Sequence, residues 1–206
     1  MTPELSLVLI GWAIAGGSPG PATLAISGTS LAHGRSAGLV IAAGIVAGSA
    51  SWGIAAALGM SAVMMANAWL LEIIRYAGAG YLLFLAYKAF RRGLQAGKDQ
   101  TPTAEISGKN LWWRGYLLHI TNPKAILAWG AIYSIALPIG ATGVEVWVLF
   151  GQLISVSCVV FLGYAILFST PAIARGYARA RRWFEFGFAA LFGAASLQIL
   201  SAKLTG

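Results

Sequence analysis

Charged residues are scarce in this chain of 206 residues: Asp, Glu, Lys and Arg make up 10% of it, whereas soluble domains carry about 25%. Hydrophobic residues, in contrast, reach 58%. The few charges leave long uncharged segments at 5–34, 36–71, 125–144, 146–174 and 186–202. A helix that crosses a bilayer needs about 20 mostly apolar residues. The scarcity of charge therefore excludes a soluble globular protein and predicts one membrane domain.

Cysteine and histidine are almost absent as well. The single cysteine, Cys158, excludes an internal disulfide, a dithiol relay and a zinc site built on cysteines. Besides it, only His33, His119 and scattered methionines offer soft metal ligands. No Ser/His/Asp set and no pair of carboxylates falls at one depth of the predicted spans, so catalysis is not expected. We predict that the protein is not an enzyme and has no resident metal or cofactor.

Acidic residues are the rarer charge, with 6 acids against 14 bases and a net charge of +8. In a soluble protein this excess would favour nucleic acid as a partner. Here eleven of the bases fall in three short segments, 33–37, 88–114 and 171–182, which is the pattern of cytoplasmic loops. We therefore expect membrane lipid and no nucleic acid as a partner, with both chain termini on the outer face.

The apolar segments predict an all-α fold of six transmembrane helices, at about 5–32, 38–65, 69–90, 115–137, 146–170 and 183–200. A polar stretch at 93–110, rich in Gly, Ser, Thr and Pro, is typical of a cytoplasmic linker. It divides the single domain 1–206 into two three-helix repeats, 1–92 and 111–206. Three crossings per half give the halves opposite orientations, which is the arrangement of an inverted repeat.

The first span is interrupted near its middle by two prolines, in the sequence Ser18-Pro19-Gly20-Pro21. Proline lacks the N–H that would bond the carbonyl four residues earlier, so the carbonyls of Ala15 and Gly17 would stay unpaired in a continuous helix. Ser-Pro matches a helix cap followed by proline at the first helical position. We expect Ser18 to accept a hydrogen bond from the Gly20 N–H and to start a second half-helix.

The fourth span carries a matching interruption, Thr121-Asn122-Pro123-Lys124. Its proline would leave the carbonyl of His119 unpaired. We expect Asn122 to cap the following half-helix by accepting from the N–H of Lys124 or Ala125. The first and fourth helices are thus predicted to be broken.

Two broken helices in corresponding spans predict a binding site for a zwitterion. A carboxylate suits the N-terminus of a half-helix and a lysine, and an ammonium group suits freed carbonyls. The alternative is a packing kink that binds nothing. The candidate substrate-binding residues are those of the two interruptions: Ser18, Pro19, Gly20, Pro21, Asn122, Pro123 and Lys124.

Lys124 favours the binding site over the kink. It lies about 14 Å along its span, where an ammonium costs at least about 2.5 kcal/mol unless it faces water or a partner. The predicted boundaries place Glu4, Glu72, Glu145 and Glu185 near the ends of spans. A substrate carboxylate is therefore the expected counter-ion, and the alternative is a lysine that snorkels to a thinned face of the bilayer.

Two further features concern coupling and packing. His119 lies one turn into the fourth span, on the side of Pro123, and is a candidate with Lys124 for proton coupling; the alternative is an ordinary interfacial histidine. Gly44 and Gly48 form a small-xxx-small pair, which predicts close helix packing. Such glycines occur in helix contacts within a subunit and between subunits, so they are compatible with a homo-oligomer as well as with a monomer.

These motifs are also those in which the chain resembles the LysE/RhtB family of amino-acid exporters: Ser18-Pro19-Gly20-Pro21, His33-Gly34-Arg35 with Gly38, and Thr121-Asn122-Pro123-Lys124-Ala125. The resemblance covers the whole length. It implies a bacterial inner-membrane secondary exporter of amino acids or their derivatives, driven by an ion gradient, with protons as the expected ion. It also carries the family's motif positions over to Pro19, Gly20, Pro21, Asn122, Pro123 and Lys124.

Exporters of this family differ in the amino acid that they transport. Because the predicted spans place no acid at mid-depth, a basic side chain lacks a counter-charge, and we favour neutral amino acids such as homoserine or threonine. A metal or small-ion exporter of similar fold is the alternative function. A purely structural membrane subunit would leave the lysine within the membrane unexplained.

Overall fold

The computed structural model describes residues 3–66, 68–95, 110–137 and 141–201, and the regular structure in these ranges is all helical. The predicted all-α class is confirmed. Most of the predicted linker at 93–110 lies outside the described residues. The helices are α1 (Pro3–Gly17), α2 (Pro21–Ala66), α3 (Ala68–Gln95), α4 (Leu111–Ile120), α5 (Pro123–Ala136), α6 (Gly143–Phe168) and α7 (Pro171–Ser201).

Helix α2 folds back on itself at Gly34, whose φ of 80° is a left-handed conformation that favours glycine. A Cβ added to Gly38 would collide with the Ser30 side chain, although eight residues along a straight helix span about 12 Å. These two positions meet only in a hairpin. Helix α2 therefore consists of two arms, residues 21–33 and 35–66, which we call the first arm and the second arm.

Two short interruptions, each within one of the predicted spans, separate pairs of consecutive helices. Residues 18–20 lie between α1 and the first arm, and Thr121 and Asn122 lie between α4 and α5. We call them the first break and the second break. Both fall at the prolines that predicted them. In the described part of the chain, Pro21–Gly59 and Gly143–Phe168 have the length and hydropathy of membrane-crossing segments.

Helix α7 begins earlier than predicted. The expected loop at 171–182 is wrong, because this segment is helical from Pro171 onwards and continues into the predicted sixth span at 183–200. Arginine and alanine are good helix formers, and exposed arginines can extend from the helix to a polar surface. As a result Glu185, expected near the end of a span, lies in the middle of a 31-residue helix.

The second arm of α2 and helix α4 are in direct backbone contact. A Cβ added to Gly44 would collide with the Trp112 carbonyl, and one added to Gly115 would collide with the Ile41 carbonyl. A Cβ on Gly48 would press against the residues of α4 one turn further along. The close packing predicted for the second span is confirmed, and it holds α4 and therefore the second break in place.

Aromatic side chains fill the core between α1, α5 and α6. Trp12 and Trp129 meet edge to face with ring centroids 4.6 Å apart. Their ring N–H groups are paired, because Trp12 Nε1 donates to the Leu153 carbonyl at 3.0 Å and Trp129 Nε1 donates to Ser49 Oγ at 3.1 Å. An apolar interior with paired polar atoms is what a helix bundle in lipid requires.

The variant Gly44→Val tests the contact between α2 and α4. Its side chain has no room against the Trp112 carbonyl, so the helices must separate at a cost of about 1–3 kcal/mol. We expect a lower thermal unfolding midpoint for the purified protein in detergent. Gly59→Val in the same helix is the matched control, because a Cβ there meets open space. Equal midpoints for the two variants would contradict the close approach.

Candidate functional site

At the first break, side chains donate hydrogen bonds to the carbonyls that lack a backbone donor. Ser18 Oγ donates to the Ala15 carbonyl at 2.9 Å, and the Tyr164 hydroxyl donates to the Gly17 carbonyl at 2.5 Å. Tyr164 comes from α6, far along the chain. Both carbonyls, which a continuous helix would leave unpaired, therefore have a side-chain donor at the break.

The half-helix after the first break is capped differently from the prediction. The Gly20 N–H donates to Thr23 Oγ1 at 3.0 Å, and the Gly20 carbonyl accepts from the Leu24 N–H at 2.9 Å. Gly20, immediately before Pro21, is thus the cap position, and Thr23 lies three residues further on. The expected bond from Gly20 to Ser18 is absent, because the Ser18 hydroxyl is directed to Ala15 and Lys124 instead.

The second break follows the prediction more closely. Asn122 has extended backbone angles, and its Oδ1 accepts from the Lys124 N–H at 3.1 Å, with proline at the first helical position. The predicted cap is confirmed. The His119 carbonyl, which a continuous helix would leave unpaired, accepts from the Asn122 N–H at 3.1 Å. The Ile120 carbonyl accepts from Trp52 Nε1 of the second arm at 3.0 Å.

Lys124 connects the two breaks. Its Nζ donates to the Ser18 carbonyl at 3.2 Å and to Ser18 Oγ at 2.5 Å. Gly20 lies beside it, since a Cβ there would come within 3.5 Å of Nζ. The ammonium sits where α1 ends, and a cation is favoured at the C-terminal end of a helix dipole. The structure thus brings together Ser18, Gly20, Asn122 and Lys124 of the predicted site.

The prolines of the site determine the course of the backbone at the two breaks. Pro19 is buried and Pro21 is exposed, and Pro21 and Pro123 each occupy the first position of a helix. At that position the missing N–H costs nothing and the fixed φ favours helix formation. The three prolines therefore shape the two breaks, and the polar atoms at the breaks come from their neighbours.

His119 is buried one turn before the second break. Its ring stands edge-on to Phe161 at 5.6 Å between centroids, and its Cβ packs against Gly48. Within the described ranges its Nδ1 has no hydrogen-bond partner. It also interacts electrostatically with Lys124. His119 thus adjoins the site without contacting Ser18.

Two charged residues near the site were missed by the sequence reasoning, which placed Glu185 near the end of a span. Glu185 is fully buried and pairs with Arg92 of α3, with 3.0 Å between Arg92 Nε and Glu185 Oε1. Both residues interact electrostatically with Lys124. The signal available in the sequence was the run of helix-forming residues after Pro171, which would have moved Glu185 to mid-helix.

The described residues bring together no group of three or more His, Cys, Asp and Glu side chains that could hold a metal ion. The chemistry of the site is instead that of a cation held by neutral oxygen atoms. An anion that offers stronger acceptors, such as a carboxylate, can replace them.

Comparison with known proteins gives consistent matches over nearly the whole chain. A family model described as LysE type translocator matches residues 14–203. The threonine efflux protein of Escherichia coli (strain K12) is 29% identical over 191 residues, which cover 90% of this chain and 92% of that protein. The threonine efflux protein of Salmonella typhi is 30% identical over the same shares. No solved structure matches significantly.

The variant Tyr164→Phe tests how the first break is completed. It leaves the Gly17 carbonyl without its donor, and an unsatisfied buried acceptor costs about 1–3 kcal/mol. We expect a lower thermal midpoint in detergent than for Tyr76→Phe, which changes an exposed tyrosine of α3. A Tyr164→Phe protein as stable as this control would show that the hydroxyl does not support the break.

Proposed function

The chain belongs to the LysE type translocator family, and we propose that it exports amino acids from the bacterial cytoplasm across the inner membrane. It is a transporter and not an enzyme. The observation that carries the proposal is Lys124, whose ammonium joins the two breaks and is held by the neutral oxygen atoms of Ser18. Such a group lies ready for the carboxylate of a substrate.

The proposed topology has six spans in two inverted halves, residues 1–92 and 111–206, joined by the linker 93–110. In this scheme α1 with the first arm, and α4 with α5, are the broken first and fourth spans. At each break, a carbonyl accepts a hydrogen bond from a side chain of the opposite half, which supports the scheme. Tyr164 of the fifth span donates to the Gly17 carbonyl in the first break, and Trp52 of the second span donates to the Ile120 carbonyl in the second break. Inverted halves relate these two spans to each other.

The substrate carboxylate would bind Lys124 in place of Ser18. The surrounding groups of the breaks, Gly20 and the half-helix N-termini at Pro21 and Pro123, favour a negative charge through their dipoles. Transport would follow from rocking of one half against the other about the breaks, as in other transporters with broken helices. Lys124 and Ser18 belong to opposite halves. This movement would therefore separate the two residues unless a ligand bridges them.

Proton coupling and orientation complete the proposal. His119 and Lys124 are the proposed coupling residues, because His119 is buried, interacts electrostatically with Lys124 and has an unpartnered Nδ1 within the described residues. Both chain termini would lie on the outer face, since this places the basic segments in the cytoplasm. A protonophore is then expected to slow export.

Neutral amino acids, including threonine and homoserine, are the proposed substrates. The predicted spans place no acid at mid-depth, but Glu185 is buried in the middle of α7, so the preference for neutral amino acids needs other support. Two other observations support the preference. Glu185 lies among the charges of Arg92, Arg181 and Lys124, whose excess of positive charge disfavours a basic side chain, and two relatives are named threonine efflux proteins.

The alternative of a metal or small-ion exporter has no specific observation in its favour. The ligand sets that select metals are thiolates, imidazoles and carboxylates held close together. The helical ranges described here hold no such group, and the ammonium at the breaks would repel a cation.

Efflux from loaded cells tests the proposed function. Cells with and without the protein are preloaded with threonine, homoserine, serine, lysine and leucine, partly as dipeptides that are hydrolysed inside, and the medium is assayed over time. We expect faster efflux of threonine or homoserine from cells that contain the protein. If no amino acid leaves faster than from control cells, the proposal is wrong.

The variant Lys124→Met tests the proposed site. It keeps the length of the side chain and removes the charge that would bind the carboxylate. We expect efflux to fall by at least about tenfold, because hydrogen bonds to charged groups contribute about 1.5–3 kcal/mol. Lys88→Met, on the exposed side of α3, is the matched control, and immunoblots of membranes establish equal protein levels. Wild-type efflux by Lys124→Met would refute the site.

A further inference from the structure

A buried ion pair joins helices α3 and α7 beside the site. Glu185 has no exposed surface, whereas the Arg92 side chain is 32% exposed. Arg92 Nε donates to Glu185 Oε2 at 3.1 Å. Within the described residues Glu185 Oε1 accepts no hydrogen bond, although it lies 3.0 Å from the same nitrogen. The pair thus leaves one oxygen of a buried carboxylate available to a further donor.

The surroundings of this carboxylate are strongly positive. It interacts electrostatically with Arg92, Arg181 and Lys124, and Lys124 in turn interacts with Arg92 and Glu185. One acid among three cations leaves a net positive charge. A zwitterion fits this balance, because its carboxylate offsets the excess and its ammonium group still finds an acceptor at Glu185.

The two charges of an amino acid are separated by only two covalent bonds, about 2.5 Å in space. Groups that bind both of them must therefore lie close together. Lys124, at the start of α5, and Glu185, in the middle of α7, are the cation and the acid that the fold brings within electrostatic range beside the breaks. In this structure Ser18 provides the neutral acceptors for Lys124.

A purely structural role is a weaker explanation of the pair. Removing two charges from water costs free energy that their attraction often does not recover, so a buried ion pair adds little stability relative to apolar side chains. Helices α3 and α7 also share apolar contacts that include Leu85, Ala86 and Phe192, and Ser196 Oγ donates to the Ala79 carbonyl at 2.9 Å. These contacts hold the two helices together without the charges.

We propose that Glu185 is the ammonium-binding residue of the transport site, with Arg92 as its positioning partner and Lys124 as the carboxylate-binding residue. This assignment rests on the proposed export of amino acids and specifies how the substrate is recognised. The ammonium group would bind Glu185 Oε1 while Arg92 keeps Oε2. Compounds that carry a carboxylate without an ammonium group would then be rejected by Glu185.

Competition in inside-out membrane vesicles tests the assignment, since export appears there as uptake. Uptake of labelled threonine is measured against unlabelled threonine and against 2,3-dihydroxybutyrate, in which a hydroxyl replaces the ammonium group. For the wild type we expect threonine to compete at least about tenfold better. For Glu185→Gln, which keeps the shape of the side chain, we expect the two competitors to differ by less than about twofold, whereas Glu145→Gln at the start of α6 keeps the wild-type ratio.

If the single variant does not fold, the double variant Arg92→Gln with Glu185→Gln provides the test, because it removes both charges of the pair and leaves neither of them buried without its partner. It too should lose the preference for threonine. If either variant reaches the membrane, takes up threonine and keeps the wild-type ratio, the pair is structural and the assignment is wrong. If both variants are absent from the membrane, the pair is required for folding and the assignment is likewise overturned. Wild-type vesicles that take up no amino acid would instead refute export itself.

Discussion

Every backbone N–H and C=O inside a bilayer must find a partner within the protein, and the rest of this structure depends on that constraint. Two helices are broken by proline near their middles, and each break releases polar backbone groups. Side chains from other helices pair with the carbonyls, Tyr164 at the first break and Trp52 at the second. The breaks are therefore fixed by tertiary contacts, and Lys124 joins them through Ser18.

We propose that this arrangement links substrate binding to movement of the two halves. An ammonium left unpaired in a low-dielectric interior costs several kcal/mol, so Lys124 and Ser18 resist separation while no ligand is present. In the proposed mechanism, a substrate carboxylate would compensate for the loss of Ser18 and would allow the halves to move apart. The substrate would then change the equilibrium between conformations through its different affinity for each of them, which is the thermodynamic requirement for coupled transport.

Local rules made the breaks predictable from the sequence, because a proline removes an N–H wherever it stands and Asn122 caps the helix that follows it. Contacts between distant segments were not predictable in this way. The hydroxyl of Ser18 binds Lys124, 106 residues away, instead of capping its own helix. Glu185 pairs with Arg92, 93 residues away, and its position in the middle of a helix became clear only with the start of α7 at Pro171.

The most direct test of the central claim is whether Lys124 recognises a carboxylate. The affinities of purified wild-type protein and Lys124→Met are measured for threonine and for threoninol, in which an alcohol replaces the carboxylate. The wild type should bind threonine at least about tenfold more tightly than threoninol, and the variant should bind the two with similar affinity. A wild-type protein that does not distinguish them, or a variant that keeps the preference, would contradict the account.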